Sequence, residues 1–287
     1  MSKGNNYVTK SSREIQVFLY HRTHDTSFFK GVTFLAKILA IANQKGGVGK
    51  TTTSVNLAAC LAAKKQRVML VDCDPQGNAS SGFGIQKSEL EATIYDVLLG
   101  GKTVKDATQH TDYGVDVVPA NINLAGAEIE LVSAMSRETR LKKALDAVRE
   151  AYDFILIDCP PSLGLLTLNA LAAADAVLMP IQCEFYALEG VAQLMNTLQL
   201  VRDNLNPGLA VDGVVMTMYD GRTKLAQDVV GEVRKSFGDI VYHTLIPRNV
   251  RLSEAPSYGQ PIIFYDKHST GARVYKELAR EVLKREQ

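Results

Sequence analysis

"NQKGGVGKTTT", Asn43 to Thr53, lies between an apolar run ending at Ala42 and a run of helical character that opens near Lys50. Gly49, Lys50 and Thr51 complete the phosphate-loop pattern G-x-x-x-x-G-K-[ST], but its first glycine is replaced by Gln44, and a second lysine, Lys45, follows at once. Gly46, Gly47 and Gly49 let successive backbone amides turn inward around phosphate oxygens, and a helix starting near Lys50 points its positive end at the same anion. Lys50 is placed to meet the β and γ phosphates. The Thr51 hydroxyl is placed to ligate Mg²⁺, a hard ion that keeps several waters. A glycine-rich turn that binds nothing has no need of a strand before it and a helix after it; here all three come in order.

Outward from the loop, strands and helices alternate. "KILAIANQ" is a short apolar run ending at the loop, and "TTTSVNLAACLAAKK" carries apolar residues at helical spacing. "RVMLVDCD" and "DFILIDCP" read as buried strands ending in acids, followed by strands "AVLMPI", "VDGVVMT" and "VYHTLI". The pattern predicts an α/β fold, a mostly parallel twisted sheet with helices on both faces, with ligands at the carboxyl ends of the strands. No internal repeat or low-complexity linker interrupts it, so residues 36–287 read as a single domain.

The strand-end acids suit a nucleotide site. Asp158 stands where a Walker B aspartate holds the Mg²⁺ hydration shell, and Pro160 and Pro161 stop its strand. Asp74 can orient or deprotonate an attacking water, since phosphoryl transfer demands mainly positioning and charge compensation. For Asp72 a hydrogen-bonded strand-end role and a supporting role near the metal stand level.

Composition adds boundaries. With 32 Lys plus Arg against 31 Asp plus Glu, net charge gives no reason to expect nucleic acid or membrane, so either would need a local patch. The four cysteines, Cys60, Cys73, Cys159 and Cys183, form no C-x-x-C pair or metal spacing, which suits a reducing cytosol. No run approaches the roughly 18 to 20 apolar residues of a membrane span, because Asp175 interrupts the best one, "LNALAAADAVLMPI". Residues 1–34 are polar and aperiodic, and Lys37 spoils any signal-peptide reading. They are expected to be an unstructured leader outside the native protein, with translation starting at Leu35, whose codon can be an initiating UUG.

"KGGVGKTTT", "VDCDPQGNAS", "DFILIDCPPSLGLLTLNAL", "PIQCEFYALEG" and "IPRNVRLSEAPSYGQPI" together resemble the ParA/Soj chromosome and plasmid partitioning ATPases, of the deviant Walker A superfamily that includes MinD and the nitrogenase iron protein. The resemblance covers residues 36–287. It implies a P-loop NTPase in which Lys45 to Thr52 (Lys45, Gly46, Gly47, Val48, Gly49, Lys50, Thr51 and Thr52) line the phosphates of ATP. Lys45 matches the signature lysine that reaches across a nucleotide-sandwich dimer, Asp74 the hydrolysis aspartate, and Pro247 and Asn249 positions near the adenine. Arg222 and Arg251 match arginines used for sequence-independent DNA binding, although exposed loop arginines are ordinarily solvated or paired with acids. Implied with these are ATP and Mg²⁺ as cofactors, an ATP-dependent homodimer, nonspecific double-stranded DNA and a ParB-type centromere-binding protein as partners, and a cytoplasmic, nucleoid-associated location.

The rival reading is a MinD-like, membrane-cycling ATPase in division positioning, which would need a C-terminal amphipathic helix facing lipid. In "GARVYKELAREVLKREQ", Val274, Tyr275, Leu278, Val282 and Leu283 instead make a core-facing stripe, and the charges mix signs. An iron-protein-like reductase would need a second cysteine paired with Cys159, and none is recognisable. A scaffold that binds ATP without hydrolysing it is the third alternative.

Overall fold

The computed structural model describes residues 35–184 and 187–286, with backbone alone at 187–190. The expected leader, residues 1–34, lies outside the described residues. Seven strands form one sheet: β1 Lys37–Ile41, β2 Val68–Asp72, β3 Gln109–His110, β4 Val115–Val118, β5 Phe154–Asp158, β6 Ala176–Gln182 and β7 Ala210–Thr217. Their order is β3-β4-β2-β5-β1-β6-β7, and every pairing is parallel except the short edge pair of β3 with β4.

The strands read as continuous apolar runs because both faces are covered. Alternate residues of one strand enter opposite cores: Ile38 and Ala40 of β1 join one, Leu39 and Ile41 the other, and β5 divides Ile155 and Ile157 from Phe154 and Leu156 in the same way. Each such fully buried aliphatic contributes about 1.5–3 kcal/mol of transfer free energy. One face is covered mainly by α1 (Lys50–Ala62) and, from the chain's end, α12 (Thr270–Arg285); the other by helices that include α3 (Ile94–Leu99), α5 (Leu124–Glu130), α6 (Arg140–Asp146), α7 (Leu165–Ala173), α8 (Ala187–Asn204) and α9 (Lys224–Phe237). Short helices α2 (Asn78–Gly82), α4 (Val104–Ala107), α10 (Val250–Glu254) and α11 (Ile262–Tyr265) complete the connections.

Two sequence expectations need correction. "VYHTLI" is not a strand: Val241 makes only an isolated bridge to Val214, and Tyr242 N–H donates to the Val214 carbonyl at 2.9 Å. Its backbone is held beside β7 at separate points, and the Tyr242 hydroxyl donates to Asp212 at 2.5 Å. "VDVV", Val115 to Val118, for which no strand was expected, is a strand beside β2. Pro180 sits inside β6, where pairing with β1 ends at Leu178 and only β7 continues alongside, so its missing N–H costs no ladder bond there.

The tail stripe is buried as the spacing implied. Val274, Tyr275, Leu278 and Val282 of α12 are covered, and the Tyr275 hydroxyl meets Thr53 Oγ1 of α1 at 3.3 Å. Among the described residues no helix is long and apolar enough to cross a membrane.

Candidate nucleotide-binding site

The loop between β1 and α1 is held at both ends by side chains from elsewhere. Asn43 Nδ2 donates to the Pro180 carbonyl at 2.7 Å while its Oδ1 accepts from Lys45 N–H at 3.0 Å, and Thr217 Oγ1 donates to the Val48 carbonyl at 2.8 Å. Gly47 and Gly49 take φ of +74° and +86°, conformations that a side chain would strain. A Cβ built on Gly46 or Gly47 would meet nothing within 4 Å, so the loop has an open side.

The two lysines of this loop are in different environments. Lys50 is buried, and its Nζ donates to the Lys45 carbonyl at 3.1 Å. Burial lowers its pKa, opposed by the nearby charges of Asp158 and Asp74. Lys45 is 40% exposed at its side chain and pairs with Glu184, just past the end of β6.

Beneath the loop, Asp158 ends β5 beside Asp72, which ends β2, and both are fully buried. Asp158 Oδ2 accepts from Thr51 Oγ1 at 2.8 Å and its Oδ1 from Ser54 Oγ at 2.7 Å. Asp72 Oδ2 accepts from the N–H and hydroxyl of Ser80 at 2.8 and 2.7 Å. Burial, reinforced by their neighbouring acids, pushes Asp72 up to about 6 and Asp158 up to about 7. Partly exposed Asp74 follows, its Oδ1 accepting from Gln76 N–H at 2.9 Å.

Beside Gly49 and Thr52 a cavity of about 280 Å³ is lined by Thr217, Met218, Ile246, Pro247, Asn249 and Tyr275, among others. Asn249 also caps α10, its Oδ1 accepting from Leu252 N–H at 3.3 Å. An open glycine cradle, a buried cation within it and a cavity adjoining Gly49 and Thr52 fit a nucleoside polyphosphate. The Thr51 hydroxyl over a carboxylate fits Mg²⁺, which takes one or two carboxylates plus waters. Among the described residues no three His, Cys, Asp or Glu side chains gather as a metal cluster.

A family model described as an AAA domain matches residues 36–211. The sporulation initiation inhibitor protein Soj of Bacillus subtilis is 61% identical over 249 residues, covering 86% of this chain and 98% of that protein. The chain belongs to the ParA/Soj family of partitioning ATPases. The chromosome partitioning protein ParA of Caulobacter vibrioides is 55% identical over 253 residues, covering 87% of this chain and 95% of its own. A crystal structure named as cobyrinic acid a,c-diamide synthase from Mycobacterium smegmatis, with bound ADP and magnesium, superposes with a TM-score of 0.77 at 40% identity, covering 87% of this chain and 95% of that one.

In this ParA/Soj chain the fold gathers the loop residues Lys45 to Thr52 with Asp74 and Asp158, and it sets Pro247 and Asn249 in the adjoining cavity. Arg222 and Arg251 lie outside it. Arg222, 89% exposed at its side chain, is salt-bridged to Asp220 at 2.7 Å, and Arg251 pairs with Glu254 at 2.9 Å and Asp266 at 3.6 Å. Their segments run side by side, because Tyr219 bridges Pro247 and its N–H donates to the Ile246 carbonyl at 3.0 Å. Sequence reading missed Ser54, Ser80, Glu184 and Thr217. Ser54 carried a usable signal, standing one helical turn after Thr51 on the same face.

Proposed function

We propose that this ParA/Soj chain binds ATP and Mg²⁺ at Lys45 to Thr52 and dimerises across the nucleotide. As a dimer it holds duplex DNA without sequence preference, associated with the nucleoid, and it is released after hydrolysis stimulated by a ParB-type centromere-binding protein. The observation that carries this reading is the separation of the two lysines: Lys50 is buried inside the loop, whereas Lys45 sends its ammonium out to Glu184. One loop needs one buried cation for its own phosphates. A second, half-exposed cation held, among the described residues, by a carboxylate is free to exchange that partner for a phosphate presented by another subunit.

Within the site, Lys50 meets the β and γ phosphates, Thr51 and Asp158 hold Mg²⁺, and Pro247 and Asn249 border the adenine. Mg²⁺, when bound, neutralises phosphate charge. Asp74 orients the attacking water, its carboxylate near Lys50 yet partly open to solvent. Arg222 and Arg251 exchange their acidic neighbours for DNA phosphates, each pair being solvent-exposed and therefore weak. The membrane-cycling alternative finds no support in α12, whose apolar stripe is already buried.

Phosphate release with ATP, Mg²⁺, duplex DNA and a ParB-type protein tests the reading. Asp74→Ala should lower it about a hundredfold, within the range of a positioned acid–base group. Near-wild-type release by the variant would remove Asp74 from the reaction, and none from the wild type would leave a scaffold.

A further inference from the structure

A cleft of about 740 Å³ opens between the end of α3, the segment running into α4, and α6, and none of its lining residues belongs to the nucleotide site. Its floor is apolar: Val97, Leu98, Val104 and Val148 are buried core residues, and Ala144 and Ala147 of the α6 region continue the wall. Among the described residues four cations line it, Lys102, Lys105, Arg140 and Lys143, and no acid does. The carboxylate next along the chain, Asp106, is engaged by the N–H and hydroxyl of Thr103, each at 2.8 Å, and feels the charge of Lys102. Lys105 and Lys143 have no ion pair among the described residues. Arg140 Nη1 donates to the Leu98 carbonyl at 3.0 Å, but its Nε is buried with no hydrogen-bond partner among the described residues.

A concave apolar floor with convergent polar groups is the usual form of a small-molecule site, and the volume falls inside the range of about 300–1,000 Å³ such sites take. Buried donors without partners are uncommon because each forfeits its hydration. The charge is one-signed, which rejects cations; the floor is apolar, which disfavours a bare inorganic anion. We infer that this cleft binds a small anionic amphiphile, a carboxylate carried on an apolar chain. The carboxylate lies toward Arg140 and Lys143, and the chain covers Val97, Leu98, Val104 and Val148. Nothing in this assignment depends on the nucleotide site.

Calorimetric titration of the full chain with decanoate, below its micellar range and at low salt, tests the inference against decanol as the uncharged probe. Decanoate should bind about tenfold tighter than decanol. The double variant Lys105→Gln, Lys143→Gln should lose about fivefold for decanoate and nothing for decanol, in keeping with two exposed charges. Ala147→Phe, at an exposed position on the wall, should abolish binding of both with the melting temperature unchanged. Equal affinity for the two probes, unchanged decanoate binding in both variants, or no decanoate binding by the wild type would each overturn the assignment.

Discussion

Replacing Ser54 by alanine removes one of two hydroxyls that face the Asp158 carboxyl while leaving the packing volume nearly unchanged. The bond is 2.7 Å long between groups that are both buried, with Ser54 Oγ also lying 3.1 Å from the Lys50 carbonyl. A hydrogen bond to a charged group contributes about 1.5–3 kcal/mol, a neutral one nearer 1 kcal/mol. Because burial pushes Asp158 up to about 7, its carboxyl is largely protonated at pH 5 and largely ionised at pH 8. The destabilisation should therefore be about 1 kcal/mol at the lower pH and about 2 kcal/mol at the higher. In a domain of this size each kcal/mol lowers the melting temperature by about 2–4 °C. Differential scanning calorimetry without nucleotide should thus show a drop of about 2–4 °C at pH 5, roughly doubling at pH 8. An equal drop at both pH values would refute the charged character of the bond, and no drop would refute its contribution altogether.

The same buried acids predict a pH effect on the wild type. The folded-state pKa values of Asp72 and Asp158 are raised, so their contribution to stability is complete below about pH 4 and is lost as pH rises through about 7. Asp158→Asn, neutral throughout, should gain melting temperature relative to the wild type over that interval; a constant difference would contradict the burial argument. Glu184→Gln frees Lys45 from a half-exposed pair worth about 0.2–1 kcal/mol, and a symmetric dimer breaks two such pairs, so the ATP-bound dimer should tighten by up to about thirtyfold in sedimentation. Weaker dimerisation would mean that Glu184 serves the dimer instead. Arg222→Ala with Arg251→Ala should leave basal hydrolysis intact and flatten the slope of log DNA affinity against log salt by about 0.9 for each DNA phosphate that an arginine no longer neutralises. An unchanged slope in gel-shift titrations would place the DNA surface elsewhere.

What the sequence disclosed and what it hid follow one division. The glycine-rich loop from Lys45 to Thr52, set between strand and helix, was legible because it is contiguous in the chain, and the buried strand-end positions of Asp72 and Asp158 because an acid ending a parallel strand stands out against its own apolar run. Glu184 and Thr217 were not. Each reaches the loop from the end of another parallel strand more than a hundred residues later, and only the sheet order, with β6 and then β7 beside β1, brings those ends together. Local pattern likewise could not separate "VYHTLI" from a strand, since its β-branched and aromatic residues suit one and what it lacks is a continuous ladder. The pairing of Arg222 with Asp220, two residues away, was within reach of sequence, yet its partner's hold on the arginine is a matter of geometry.

Sedimentation velocity of Asp74→Ala and of Asp74→Ala, Lys45→Ala, each with saturating ATP and Mg²⁺, tests most directly the claim that Lys45 acts on a second subunit. Blocking hydrolysis in both holds the nucleotide constant, and fluorescent-nucleotide titration checks that each binds ATP. The account predicts that the first sediments as a dimer and that the second binds ATP as well yet stays a monomer. Equal dimer fractions in the two would contradict it, and so would a loss of nucleotide affinity in the second as large as that caused by Lys50→Ala.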